Sequence, residues 1–181
     1  MARAYHEEAS TSLHLGDARR KQDPLVINFG GNAAQLTSQR FKFDLNSDGQ
    51  AEDINFVTGG SGFLVLDKNG DGKVNNGSEL FGTQSGNGFA DRAALDSDRN
   101  GWIDENDAAY AQLRIWTKDA SGKDQLATLK QADVGALNVA AVASPFDLKT
   151  ADNSQLGQIR SSGIYLRDSG GHVAVFSSRR D

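Results

Sequence analysis

The placement of acidic residues constrains this chain more than any other feature. Residues 44 to 107 carry ten Asp and three Glu against four bases, a net charge of −9. The remaining residues hold 11 acids and 15 bases, so the whole 181-residue chain is only −5. Asp outnumbers Glu 19 to 5. A solvated helical face would favour Glu, the better helix former, whereas Asp belongs in turns, caps and oxygen-ligand loops. Such a concentration of short carboxylates predicts a hard-cation site and argues against nucleic acid as a partner.

Three segments carry the pattern. In Asp96 to Asp107 the twelve positions of an EF-hand loop are filled in order, with Asp96, Asp98 and Asn100 at positions 1, 3 and 5. Gly101 supplies the turn at position 6, Trp102 offers a backbone carbonyl at 7, and Asp104 and Asp107 stand at 9 and 12. Ca²⁺ takes six to eight oxygens at about 2.3–2.6 Å, so alternate residues of a tight turn must point oxygens inward. Asp104 also stands where the N-cap of a following helix would be. In the second segment Asp67, Asn69, Asp71 and Lys73 (through its carbonyl) take the odd positions, and Glu79 closes at position 13. The third repeats Asp44, Asn46 and Asp48 with Glu52 at position 9. Two Ca²⁺ ions are expected, with a third if the 44–52 loop closes. Val74 and Ile103 share position 8, which predicts that the 67–79 and 96–107 loops pair through a short antiparallel ribbon. Asp119 to Asp124 has Lys123 at a ligand position and reads as a turn only.

Other chemistries are poorly supplied. There is no cysteine, which excludes disulfides and thiolate chemistry. His6, His14 and His172 are scattered, and Thr58 to Gly62 lacks the Lys-Ser/Thr pair of a phosphate loop. Trp102 and Trp116 are read as packing residues. No apolar run approaches the ~18 residues of a membrane span. The polar start, MARAYHEEAS, is no signal peptide, so an export signal is not expected within this chain.

Residues 1–22 read as a polar tail or the end of a preceding domain, with a weak strand at Thr11 to Leu15, and 23–181 as one module. Strands are expected at Leu25 to Phe29, Arg40 to Leu45, Ile54 to Val57, Phe63 to Leu66, Leu113 to Trp116, Gln125 to Leu129 and Ala136 to Val142, with a C-terminal hairpin at 163–176. Short helices are expected around Phe89 to Ala94 and Ala108 to Leu113, and a helical turn at Leu129 to Val134. The predicted class is α+β, mostly antiparallel short strands with an EF-hand-like pair of calcium loops and a few short helices.

Asp23-Pro24-Leu25-Val26-Ile27, Phe63-Leu64-Val65-Leu66-Asp67, Gly77-Ser78-Glu79-Leu80-Phe81-Gly82, the Asp96 loop and Leu113-Arg114-Ile115-Trp116 occur in that order. Over residues 23 to 140 this resembles the calcium-binding module of bacterial RTX (hemolysin-type) proteins, in particular the self-processing module of FrpC-like proteins. The chain departs from it after Leu25, carrying Asn28 to Asn32 where the family has an Asp-rich loop. The resemblance implies secretion or display at a bacterial cell surface, a larger parent protein and Ca²⁺-dependent folding. It also implies cleavage of the Asp23–Pro24 bond and joining of the released Asp to a lysine amine. Three readings stay open: a non-catalytic Ca²⁺-folded module, an autocatalytic Asp-Pro processing module, and an adhesive domain with an external protein partner. A plainer role for Pro24 is to begin an edge strand.

Overall fold

Leu25, Val26 and Ile27 are all fully buried, so the strand they form must be covered on both faces. In the computed structural model, which describes residues 22–29, 34–58, 60–150, 152–170 and 172–179, that strand is β1 (Leu25–Asn28). It pairs antiparallel with β4 (Ser61–Leu66) on one side and β11 (His172–Arg179) on the other. Pro24 therefore opens a central strand, not the expected edge strand. A proline ahead of the first ladder residue withholds no hydrogen bond from the sheet.

The main sheet runs β5 (Trp102–Ile103), β8 (Ala136–Asn138), β10 (Gln155–Leu166), β11, β1, β4, β6 (Leu113–Lys118), β7 (Asp124–Thr128). A further strand, β9 (Val142–Lys149), shares an edge of β10 with β8. β2 (Gln35–Phe43) and β3 (Glu52–Thr58) form a separate antiparallel hairpin. Side-chain alternation sorts the core into two halves. Leu25, Ile27, Leu64, Leu113 and Ile115 meet Phe81, Phe89, Ile103, Leu137 and Tyr165 on one side. Val26, Phe63, Val65 and Trp116 meet Phe43, Ile54 and Phe56 from the β2–β3 hairpin on the other.

Trp116 is the hub of that second half. Its ring centroid lies 4.9 Å from Phe56, 5.1 Å from Phe43 and 5.9 Å from both Phe41 and Phe63. Its indole N–H donates to Asp124 at 2.9 Å, so burial leaves no polar atom unsatisfied. The packing role read for Trp116 agrees with this.

The α+β class with an EF-hand-like pair is overturned. Among the described residues there is a single α-helix, α1 (Gly88–Ala93), and two 3-10 turns, Gly77–Glu79 and Tyr110–Gln112. The fold is a β-rich, mostly antiparallel one. The helix expected at Ala108 to Leu113 is only the second of those turns. No side chain caps this turn, whereas Asn87 caps α1 by accepting from the Ala90 N–H at 3.0 Å. The expected ribbon between Val74 and Ile103 is absent too: Ile103 pairs with Leu137, and Val74 packs against the opposite core half. β9 escaped the sequence reading because Pro145 interrupts it, which an edge position tolerates. The expected strand at Thr11 to Leu15 lies outside the described residues.

Asp133, in a left-handed conformation, accepts from the Ser169 hydroxyl (2.7 Å) and backbone N–H (2.8 Å), tying the β7–β8 connection to the β10–β11 turn. The Ser169 hydroxyl, the Ser169 N–H and the charge of Arg167 hold its carboxyl below the usual range. A depressed folded pKa contributes stability above the ordinary carboxylate value of about 3.9, and this is lost as pH falls through the folded value. NMR titration of Asp133 is expected to show a midpoint below that value, returning towards it in Ser169→Ala. Trp116→Ala is expected to cost about 3–5 kcal/mol in denaturant unfolding. A loss under about 1 kcal/mol would contradict the hub role.

Candidate metal centre

The three Asp-rich segments fold alike because their spacing imposes the same local hydrogen bonds. The position-1 carboxylate accepts from the N–H of the position-6 glycine in each: Asp44 from Gly49 (3.0 Å), Asp67 from Gly72 (3.2 Å) and Asp96 from Gly101 (2.9 Å). All three glycines have positive φ, +87°, +70° and +87°. Position 3 accepts from the N–H of position 5: Asn46 from Asp48, Asn69 from Asp71, Asp98 from Asn100. Position 5 accepts from position 7: Asp48 from Gln50, Asp71 from Lys73, Asn100 from Trp102. These turns aim side-chain oxygens at one centre.

The closing acid is what differs. Asp107 accepts from the Ser97 hydroxyl and N–H, both at 2.6 Å, and from Asp104 N–H at 3.1 Å. These bonds, the Ser97 hydroxyl first, hold its carboxyl below the usual range. Glu52 accepts from Leu45 N–H at 2.9 Å, the same position-2 donor that Ser97 provides. Glu79 accepts from Asn75 N–H at 2.8 Å, the position-9 donor that Asp104 provides. Carboxylate oxygens of Asp96, Asp98 and Asp107 lie within 4.8 Å of one another, and so do those of Asp44, Asp48 and Glu52. The 44–52 segment, the least regular in sequence, thus closes a three-acid cluster.

Loop 67–79 gathers its acids differently. Asn75 donates to the second oxygen of Asp71, and Asp67, Asp71 and Glu79 do not form such a triple. Asp67 and Glu79 are each 5% exposed, and Asp67 Oδ1 is buried with no hydrogen-bond partner. An ionised oxygen left so is costly unless a cation meets it. Asp104 turns its Oδ1 to the backbone and side-chain N–H groups of Asn106 and stays outside the Asp96 cluster, and no helix follows it to be capped. The backbone of Trp102 is fixed by pairing with Asn138.

Magnitudes favour a cation. Two carboxylates at 4.8 Å repel by about 1 kcal/mol in bulk water and about 3–4 kcal/mol at an effective dielectric constant of ~20. Six such pairs rival the ~5–15 kcal/mol stability of a whole domain. Backbone N–H groups offset part of this, and divalent cations held by the same oxygens would offset the rest.

The sequence missed the cross-links between loops. Gly77 N–H donates to Asp44 O (2.8 Å), Ser47 Oγ to Asn76 (3.0 Å), and the Gln84 amide to Asn46 O (3.1 Å). A Cβ on Gly77 would collide with the Leu45 carbonyl, so only glycine allows this approach. Loop 67–79 therefore pairs with loop 44–52, while loop 96–107 ties to β8 through Asn138 and Val139 on Gly101 O. Arg92, fully buried, stacks 4.6 Å from Phe89, donates to Asn138 O, and has its pKa lowered to about 10 by burial.

Asp23 and Pro24 are buried, Asp23 to 4% exposure. The Asp23 N–H donates to Gly82 O at 3.1 Å, and its carbonyl oxygen sits against the α-carbons of Gly82 and Gly88. The segment from Gly77 to Gly82 thus runs from the paired loops to the Asp-Pro bond.

Residues 25–175 match the SPM domain family, and the chain belongs to it. The match extends into β11, beyond residue 140, where the resemblance in the sequence ends. The chain is also 31% identical over 134 residues to the iron-regulated protein FrpA of Neisseria meningitidis serogroup C. That alignment takes up 65% of this chain but only 12% of FrpA, so the chain spans about an eighth of that protein. Among the described residues, no helix is long and apolar enough to cross a membrane.

Gly77→Ala removes no acid, yet it is expected to weaken divalent-cation binding at both 44–52 and 67–79. Amide NMR at Gly49, Gly72 and Gly101 during a Ca²⁺ titration checks this. The first two should shift to higher Ca²⁺ together, and Gly101 should stay in place.

Proposed function

We propose that this chain is a Ca²⁺-folded module of a larger bacterial protein that is secreted or displayed at the cell surface. Residues 1–22 would belong to a preceding region and 23–181 to the module. The observation that carries the reading is the buried, unpartnered Oδ1 of Asp67, taken together with the two gathered triads. The donor set is all oxygen, which suits Ca²⁺ over softer metals. Asp44, Asn46, Asp48 and Glu52 would hold one ion. Asp67, Asn69, Asp71, Glu79 and the Lys73 carbonyl would hold a second. Asp96, Asp98, Asn100, Asp107 and the Trp102 carbonyl would hold a third, with Asp104 joining through a water. Bound Ca²⁺ supplies the positive charge that these carboxylates lack.

Circular dichroism and melting with and without chelator test this. Chelated protein is expected to lose strand signal or melt far lower, each site adding about 2.7 kcal/mol when Ca²⁺ is ~100-fold above its Kd. Identical spectra and melting would overturn the reading.

A second reading is supported by the buried Asp23–Pro24 bond: Ca²⁺-driven folding prepares this bond for self-cleavage. The Asp23 carboxylate attacks its own main-chain carbonyl carbon, forming a C–O bond and a tetrahedral centre. The bond to Pro24 nitrogen then breaks as that nitrogen takes a proton from solvent. The five-membered anhydride left on Asp23 adds water to give two carboxyls, or a lysine amine to give an amide. Burial suits such chemistry by holding the carboxyl near its target and delaying water. Millimolar Ca²⁺ at neutral pH is expected to yield two fragments on a gel, absent in Asp23→Asn. An uncut chain after a day would remove this reading and leave the first standing. The adhesive reading is less supported: the aromatic cluster around Trp116 is buried, and the exposed apolar side chains among the described residues, Val142, Phe146, Ile164 and Leu166 on β9 and β10, include a single aromatic.

A further inference from the structure

We propose that Gly82, Gly88 and Asp91 form a seat that positions the Asp23–Pro24 peptide for cleavage, with Asp91 as the residue that closes it. The proposal rests on the self-cleavage reading above. The Asp23 carboxylate can reach its own carbonyl carbon only while the main chain around it is held. That chain is held on both sides of the Asp23 Cα. Its N–H is fixed on Gly82 O at 3.1 Å, and its carbonyl oxygen lies so close to Gly82 and Gly88 that neither position has room for a Cβ. A Cβ on Gly82 would strike that oxygen, and one on Gly88 would come within 2.7 Å of it and 2.8 Å of Leu25 Cγ. Gly82 also has φ +74°, a conformation unfavourable to other residues.

The two glycines belong to different pieces of chain, a turn and α1. One side chain joins them. Asp91, in the first turn of α1, accepts from Gly82 N–H at 2.8 Å and from the Ser85 hydroxyl at 2.8 Å through the same oxygen, Oδ2. Gly86 N–H closes the turn on Gly82 O at 3.0 Å. Asp91 touches neither the carboxyl nor the leaving nitrogen, so its part is positioning. The seat is also where the loops converge: Gly77 to Gly82 leads in from the 44–52 and 67–79 pair, and α1 leads out to Asp96. The two walls of the seat continue directly into those loops, so Ca²⁺ binding would set the distance between them.

The experiment uses the full chain and measures the first-order cleavage rate across a Ca²⁺ titration, with Ca²⁺-induced circular dichroism as the folding control. A misplacement of about 1 Å costs roughly 100-fold in rate. Gly88→Ala and Asp91→Ala are therefore expected to lower the plateau rate at saturating Ca²⁺ by about that factor while folding still completes. Asp91→Asn should recover most of it, because the amide oxygen still accepts from Gly82 N–H. Gly82→Ala should be the most severe, and if it fails to fold, Asp91→Ala decides. A merely structural role would instead shift the Ca²⁺ midpoint and leave the plateau alone, and that result overturns the seat. So do variants cut at the wild-type plateau. An uncut wild type removes the self-cleavage reading itself, an outcome distinct from cut wild type with unaffected variants.

Discussion

Like-charged carboxylates crowded onto tight turns set the terms for the rest of this molecule. The middle third must place thirteen acids against four bases, and its local geometry collects eight of them in two triads and one buried pair. Backbone N–H groups at positions 5, 6 and 7 hold each loop open in a shape that already faces its oxygens inward. That shape costs Coulomb energy without a cation and becomes favourable with one. The β-sheet supplies rigid ends for the loops. β4 runs straight into Asp67, β2 into Asp44, and α1 into Asp96.

From the loops the constraint passes to the start of the module by close backbone contact. Gly77 allows loop 67–79 to lie on Leu45, and Gly82 allows the same segment to lie on Asp23. Thr83 reinforces the link by donating its hydroxyl to Gly77 O and to Leu80 O. Side chains at the glycine positions would separate the layers, so the path from the acidic loops to the Asp-Pro bond is a property of missing Cβ atoms. Loop 96–107 takes another route, through Asn138 and the buried Arg92, to the same helix that carries Gly88 and Asp91.

Much of this was legible in the sequence, for identifiable reasons. The 1-3-5-6 spacing fixed the loop hydrogen bonds because they are local, and the apolar runs at Leu25 and Phe63 marked strands, though not that the first of them lies inside the sheet. What stayed hidden was long-range. Position 8 of two loops suggested that Val74 and Ile103 pair, but Ile103 had a better partner in Leu137, which buries it completely. The regular 96–107 loop drew attention to a helix on each side, but only the one before it, capped by Asn87, forms, and the fold is β-rich. Gly82 belonged to a motif that resembles the RTX modules, but nothing in the sequence tied it to Gly88 and Asp91. Their meaning lies in what approaches them in space.

Amide hydrogen exchange tests the central claim most directly, by following peptides that cover 22–28 and 77–88 with Ca²⁺ and with chelator. If ions held at 44–52 and 67–79 complete the fold and clamp Asp23, both regions gain protection together over one Ca²⁺ range. Equal protection in chelator, or protection of 77–88 without 22–28, would contradict it.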